Sequence, residues 1–199
     1  MRSVIVEFPG SNCVAETQRF LDDPTMVWHT ETELPDADLY VLPGGFSYGD
    51  YMRGGALAGL SPIIASLKQK AMQGKKILGI CNGFQILCEI GLLPGTLRKN
   101  QSGLFVCETQ TVYDSHNDYV LPIAHGEGNY YHPNPASVNI ALQYKFTNPN
   151  GSVNNIAGIY NDTKNIMGLM PHPERAISDY HLSKDGKTFF EEIFKQLSM

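Results

Sequence analysis

An α/β fold is what this sequence predicts: an open, mainly parallel twisted sheet with flanking helices and an antiparallel extension. Three observations carry the prediction. Short β-branched runs alternate with helix-patterned segments over residues 1–90, most of those runs stop at glycine or proline, and from Leu104 onward the texture changes to strands parted by polar turns. Strand–helix alternation implies parallel strands with crossover helices, whereas strands in direct succession pair antiparallel.

The elements follow in order. "SVIVEF" (3–8) reads as a buried strand ended by Pro9-Gly10, and Asn12 is positioned to cap a helix carrying Val14, Phe20 and Leu21. "MVWHT" (26–30) and "ADLYVLPGG" (37–45) read as the second and third strands. The glycine-rich loop "GGFSYGDYMRGG" (44–55) leads into a helix expected over Ala56 to Gln73, where Leu57, Leu60, Ile64 and Leu67 recur and Gly74 supplies the stop. "KKILGI" (75–80) is the fourth strand, and Asn82 to Glu89 opens the next helix. "LFVCETQTVY" (104–113) and "DYVLPIAH" (118–125) flank a polar turn, "HGEGNYYHPNPAS" (125–137) reads as loop, and "NPNG" (148–151) as a turn. "IAGIYND" (156–162) and "NIMGLMPH" (165–172) form a hairpin returning to the sheet, and "GKTFFEEIFKQL" (186–197) an amphipathic helix. A single domain over residues 1–199 is expected.

Composition narrows the function. A formal charge of −5 and a pI near 5.6 give no basic field for nucleic acid. No run approaches the roughly 20 apolar residues of a membrane-spanning helix. Cys13, Cys81, Cys88 and Cys107 form no CxxC pair, which suits reduced thiols in a cytoplasm.

Ligands of an open α/β sheet gather beyond the carboxyl ends of its strands, and three motifs end strands here. Gly79-x-Cys81-x-Gly83 has the form of a nucleophile elbow, with small residues where the chain bends and a helix start at Asn82 that favours a thiolate. A lone cysteine is ordinarily a buried apolar residue, and Cys88, mid-helix, fits that plain reading. "MPHPER" offers the nucleophile a base in His172 and an orienter in Glu174: in extended backbone, residues two apart share a face, and Pro173 favours that backbone. Gly44 and Gly45 allow a close backbone approach, and their N–H groups with that of Asn82 are candidate oxyanion donors, although Pro-Gly-Gly is also a common turn. "DGKT" (185–188) lacks the earlier glycine of a P-loop, and "HGEGNYY" has Tyr131 at the third glycine position of a dinucleotide fingerprint. No cofactor site and no metal site is expected in this chain.

With these motifs in order, the sequence resembles the class I (triad-type) glutamine amidotransferases, on "FPGSNC" (8–13), "LPGGFSYGDYMRGGA" (42–56), "GICNGFQIL" (79–87), "PIAHGEGNYY" (122–131) and "GLMPHPERA" (168–176). The Phe-Ser-Tyr-Gly-Asp-Tyr and His-Gly-Glu-Gly segments set it nearest to small glutaminase subunits of purine biosynthesis. Arg53-Gly54-Gly55 stands where that subfamily has Arg-Ala-Gly, and the segment around 108–120 is short for it. The resemblance implies a flavodoxin-like fold, Cys81 as nucleophile, His172 as general acid/base, Glu174 as its orienter, and an oxyanion hole near Gly45 and Asn82. It also implies that Gln85 helps to bind glutamine. The implied partners are a large ATP-dependent synthetase subunit, which carries ATP and magnesium, and a small bridging subunit. Alternatives are another class I amidotransferase, a cysteine hydrolase of γ-glutamyl bonds, or a non-catalytic binding module of the same fold.

Overall fold

The computed structural model describes residues 1–198, with side chains through Phe194. Strands β1 (Ser3–Glu7), β2 (Thr25–Trp28), β3 (Leu39–Leu42) and β4 (Lys76–Ile80) are the β-branched runs of the first half. β5 (Thr96–Arg98), β6 (Val106–Tyr113), β7 (Asp118–His125), β8 (Asn129–Tyr131), β9 (Asn139–Tyr144), β10 (Ile156–Tyr160) and β11 (Ile166–Leu169) follow. The helices are α1 (Val14–Phe20), α2 (Ile63–Met72), α3 (Asn82–Glu89) and α4 (Asp185–Ser198).

Nine strands form one sheet in the order β2-β1-β3-β4-β11-β10-β9-β6-β7, and β5 pairs with β8 beside it. β2, β1, β3, β4 and β11 run parallel, while every pairing from β11 out to β7 is antiparallel. The parallel strands β1, β3, β4 and β11 are almost wholly buried, as expected where helices cover both faces. β7 instead alternates, with Tyr119, Leu121, Ile123 and His125 on its buried side. β11 returns the chain to the centre of the sheet, so the ends of β4 and β11 lie side by side.

Several expectations need correction. The helix expected over 56–73 is two pieces, a 3-10 turn at Ala58–Leu60 and then α2, because Ser61 turns extended and Pro62 begins the second piece. Asn12 does not cap α1: Cys13 occupies that position without a side-chain cap bond. The loop expected over 125–137 contains β8, and β9 has no counterpart among the expected strands.

Candidate functional site

Cys81 stands between β4 and α3 at φ 50°, ψ −101°, a left-handed backbone that a side-chain-bearing residue adopts at a cost of about 1–3 kcal/mol. Its N–H donates to Leu169 O at 2.7 Å and its carbonyl accepts from Gln85 N at 3.1 Å, so the bend is clamped from β11 and from α3. The bend also requires Gly83: a Cβ there would lie 2.1 Å from Leu42 O, so α3 could not approach β3 so closely. Cys81 is 4% exposed, and its Sγ lies 3.8 Å from Ala124 O. Cys88, by contrast, is buried in α3 with its thiol pKa pushed up by burial, which leaves it inert.

His172 and Glu174 follow β11 at 2% and 0% exposure, and His172 Nδ1 lies 2.5 Å from Glu174 Oε1. The pair meets differently from the expected extended arrangement. Pro173–Arg175 is a 3-10 turn, closed by Arg175 N donating to His172 O at 3.0 Å. Pro173 suits the first position of such a turn. Burial alone would lower the His172 pKa; the Glu174 carboxylate, Cys81 and Cys13 outweigh it and hold the imidazole well above its ordinary value.

The glycine-rich loop closes over this pair. Gly44 packs on His172, where a Cβ would come within 2.6 Å of Cε1, and Gly45 (φ 151°) lies against Gly10, Ser11 and Asn12. Asn82 opens α3; its Oδ1 accepts from Ser47 N at 3.1 Å and its Nδ2 donates to Gln85 Oε1 at 2.8 Å. Gln85 is buried, and its Nε2 donates to Glu127 O at 2.8 Å. The structure thus brings Cys81, His172, Glu174, Gly44, Gly45, Asn82 and Gln85 into one neighbourhood.

Two contributions to the site take on a role only in the fold. Cys13, read from the sequence as a reduced thiol, lies with its Sγ 4.0 Å from His172 Nδ1, and its N–H donates to Gly44 O at 3.2 Å. The segment 122–127 runs along the whole site. Pro122 O accepts from His172 N at 2.8 Å, Ala124 O faces Cys81, and the Glu127 carboxylate accepts from Gly54 N at 2.9 Å. His125 lies on the buried side of β7 with Tyr119, Leu121 and Ile123, a placement set by strands distant in the chain.

Cys13, His172 and Glu174 each bring a ligand-type atom within 4.8 Å of the others. The 2.5 Å Nδ1–Oε1 separation is a hydrogen bond, shorter than two ligands of one ion stand apart. No helix among the described residues is long and apolar enough to cross a membrane.

A model of the CobB/CobQ-like glutamine amidotransferase domain matches residues 1–197. The chain is 47% identical to the phosphoribosylformylglycinamidine synthase subunit PurQ of Helicobacter hepaticus, over 97% of each protein. It is 43% identical to the same subunit of Pelagibacter ubique, over 99% of this chain and 100% of that one. Among solved structures, that of PurLQS from Thermotoga maritima superposes with a TM-score of 0.92 at 40% identity, covering 98% of both chains.

Proposed function

The chain belongs to the CobB/CobQ-like glutamine amidotransferase family, and from that premise we propose that it is the glutaminase subunit of phosphoribosylformylglycinamidine synthase. It releases ammonia from glutamine for an ATP-dependent synthetase subunit, which converts formylglycinamide ribonucleotide to its amidine in purine biosynthesis. What carries the chemical part of this reading is one arrangement: a backbone-strained thiol after β4 and a carboxylate-held imidazole after the adjacent β11.

Each residue has a role in that chemistry. The Cys81 thiolate attacks the side-chain amide carbon of glutamine. The N–H groups of Gly44 or Gly45 and Asn82 receive the oxyanion, and Gln85 helps to hold the substrate. His172, kept protonated by Glu174, gives its proton to the departing nitrogen, so ammonia leaves and a glutamyl thioester remains. Water then adds to the thioester, with His172 taking the proton, and glutamate and the thiol are released. Glu174 orients His172 through Nδ1, so the other ring nitrogen serves the reaction.

ATP and magnesium act on the synthetase subunit, and a small bridging subunit completes the assembly. The cytoplasm, where thiols stay reduced, is the compartment that suits Cys81. The test is reconstitution with the synthetase and bridging subunits, measuring amidine formation from glutamine and from free ammonia. Cys81→Ala should abolish glutamine use and leave ammonia-driven synthesis near the wild-type rate. Equal loss of both would refute the role. Strong glutaminase activity of the chain alone would favour a free-standing hydrolase of γ-glutamyl bonds.

A further inference from the structure

His125 ends β7 one residue beyond the carbonyl that faces Cys81, and it is 2% exposed. Its tautomer can be read from its partners. Asn100 Nδ2 donates to Leu104 O at 2.9 Å and to His125 O at 2.8 Å, which fixes Asn100 Oδ1 as the acceptor end of that amide. Gly128 N donates to the same oxygen at 3.0 Å, and His125 Nδ1 lies 3.1 Å from it. The Nδ1 therefore carries the proton and Nε2 a bare lone pair.

That Nε2 is buried without a hydrogen-bond partner. A buried acceptor left unmet is costly and marks a place where a donor belongs. The ring is also pinned: a Cβ on Gly128 would fall 2.3 Å from its Cε1, so Gly128 leaves just room for the imidazole. Burial and the charge of His172 push the His125 pKa down to about 4. At neutral pH only on the order of one molecule in a thousand would carry a proton on that ring. His172 and His125 thus form a pair of neighbouring imidazoles with opposite biases, one holding a proton and one refusing it.

Resting on the glutaminase reading above, we propose that His125 Nε2 accepts a hydrogen bond from ammonia as it leaves the Cys81 centre and holds it, unprotonated, for transfer to the synthetase subunit. Ammonia offers N–H donors, and an acceptor without a proton of its own binds it without converting it to ammonium, which cannot act as a nucleophile. A protonated histidine would defeat that purpose.

The experiment uses the reconstituted complex and measures glutamate and amidine together. In His125→Ala, glutamate formation and the KM for glutamine should stay near wild type, and ammonia-driven synthesis should be unchanged. Partition between amidine and free ammonium should move about fivefold toward ammonium, the size of one ordinary hydrogen bond. His125→Gln, which returns an acceptor oxygen, should recover part of the coupling. Glutamate and amidine falling in step, or a raised KM with intact coupling, which would place the α-ammonium of glutamine at Nε2, would overturn the inference. A wild-type complex that makes no amidine from glutamine would refute the glutaminase reading instead. Should His125→Ala not fold, 15N-histidine spectra of the wild type provide the second test. Ammonium chloride at alkaline pH should shift the His125 Nε2 resonance where sodium chloride does not, and an unmoved resonance would count against the proposal.

Discussion

At the scale of single residues, the proton on His172 is the quantity to follow. Burial disfavours it, and Glu174 is the largest of the influences that restore it. A folded-state pKa above the unfolded one means that the stabilisation is complete below the ordinary histidine pKa and is lost as pH rises through the folded value. Glu174→Gln keeps the shape and removes the charge, so the imidazolium should be lost at lower pH. The alkaline limb of the glutamine-dependent rate should move toward acid, and kcat at neutral pH should fall at least about tenfold with little change in KM. Steady-state kinetics of the complex across pH would measure both. An unmoved limb would mean that Glu174 does not hold the proton.

At the scale of elements, the strand ends and the loop between 44 and 55 determine what the site can grip. Gly54 touches Gln85 closely: a Cβ there would fall 2.5 Å from the amide carbon, and that amide is tied to Asn82 and to Glu127 O. Gly54→Ala should push Gln85 off its position and raise the KM for glutamine about tenfold while kcat stays near wild type, the pattern of lost ground-state binding. An unchanged KM would remove Gln85 from the binding site. Local signals made much at this scale legible. "KILGICNGF" and "MPHPER" announced chemistry because a cysteine at a glycine-flanked bend and a proline-flanked histidine are local events. β8 and β9 were harder to see because their pairing depends on partners distant in the chain: β8 on β5, and β9 on β10 and β6. Pro62 was visible, but the leucine periodicity on either side masked the break it imposes.

At the scale of the whole molecule, the site sits where the parallel and antiparallel halves of the sheet meet. Cys81 comes from one half, His172 follows the seam strand, and the 122–127 segment arrives from the far edge of the other half. That convergence is a property of the complete topology, which explains why the motifs containing Cys13 and His125 point to a family but not to what either side chain meets. It also brings two carboxylates together: Asp50, whose Oδ1 accepts from Asn82 Nδ2 at 3.3 Å, and Glu127. Burial, helped by the charge of Glu127, raises the Asp50 pKa from 3.8 to about 6. The folded state thus holds this proton more tightly than the unfolded chain, so the associated stability is present below the unfolded pKa and lost as pH rises through about 6. Asp50→Asn keeps the acceptor for Asn82 and removes the charge. Because Asp50 is only half-buried, solvent screening reduces the expected gain to ~1 kcal/mol. The variant should be more stable than wild type by that amount at pH 7.5 and indistinguishable from it near pH 4 in urea unfolding. A gain of equal size at both pH values would assign the effect to packing and not to the buried charge.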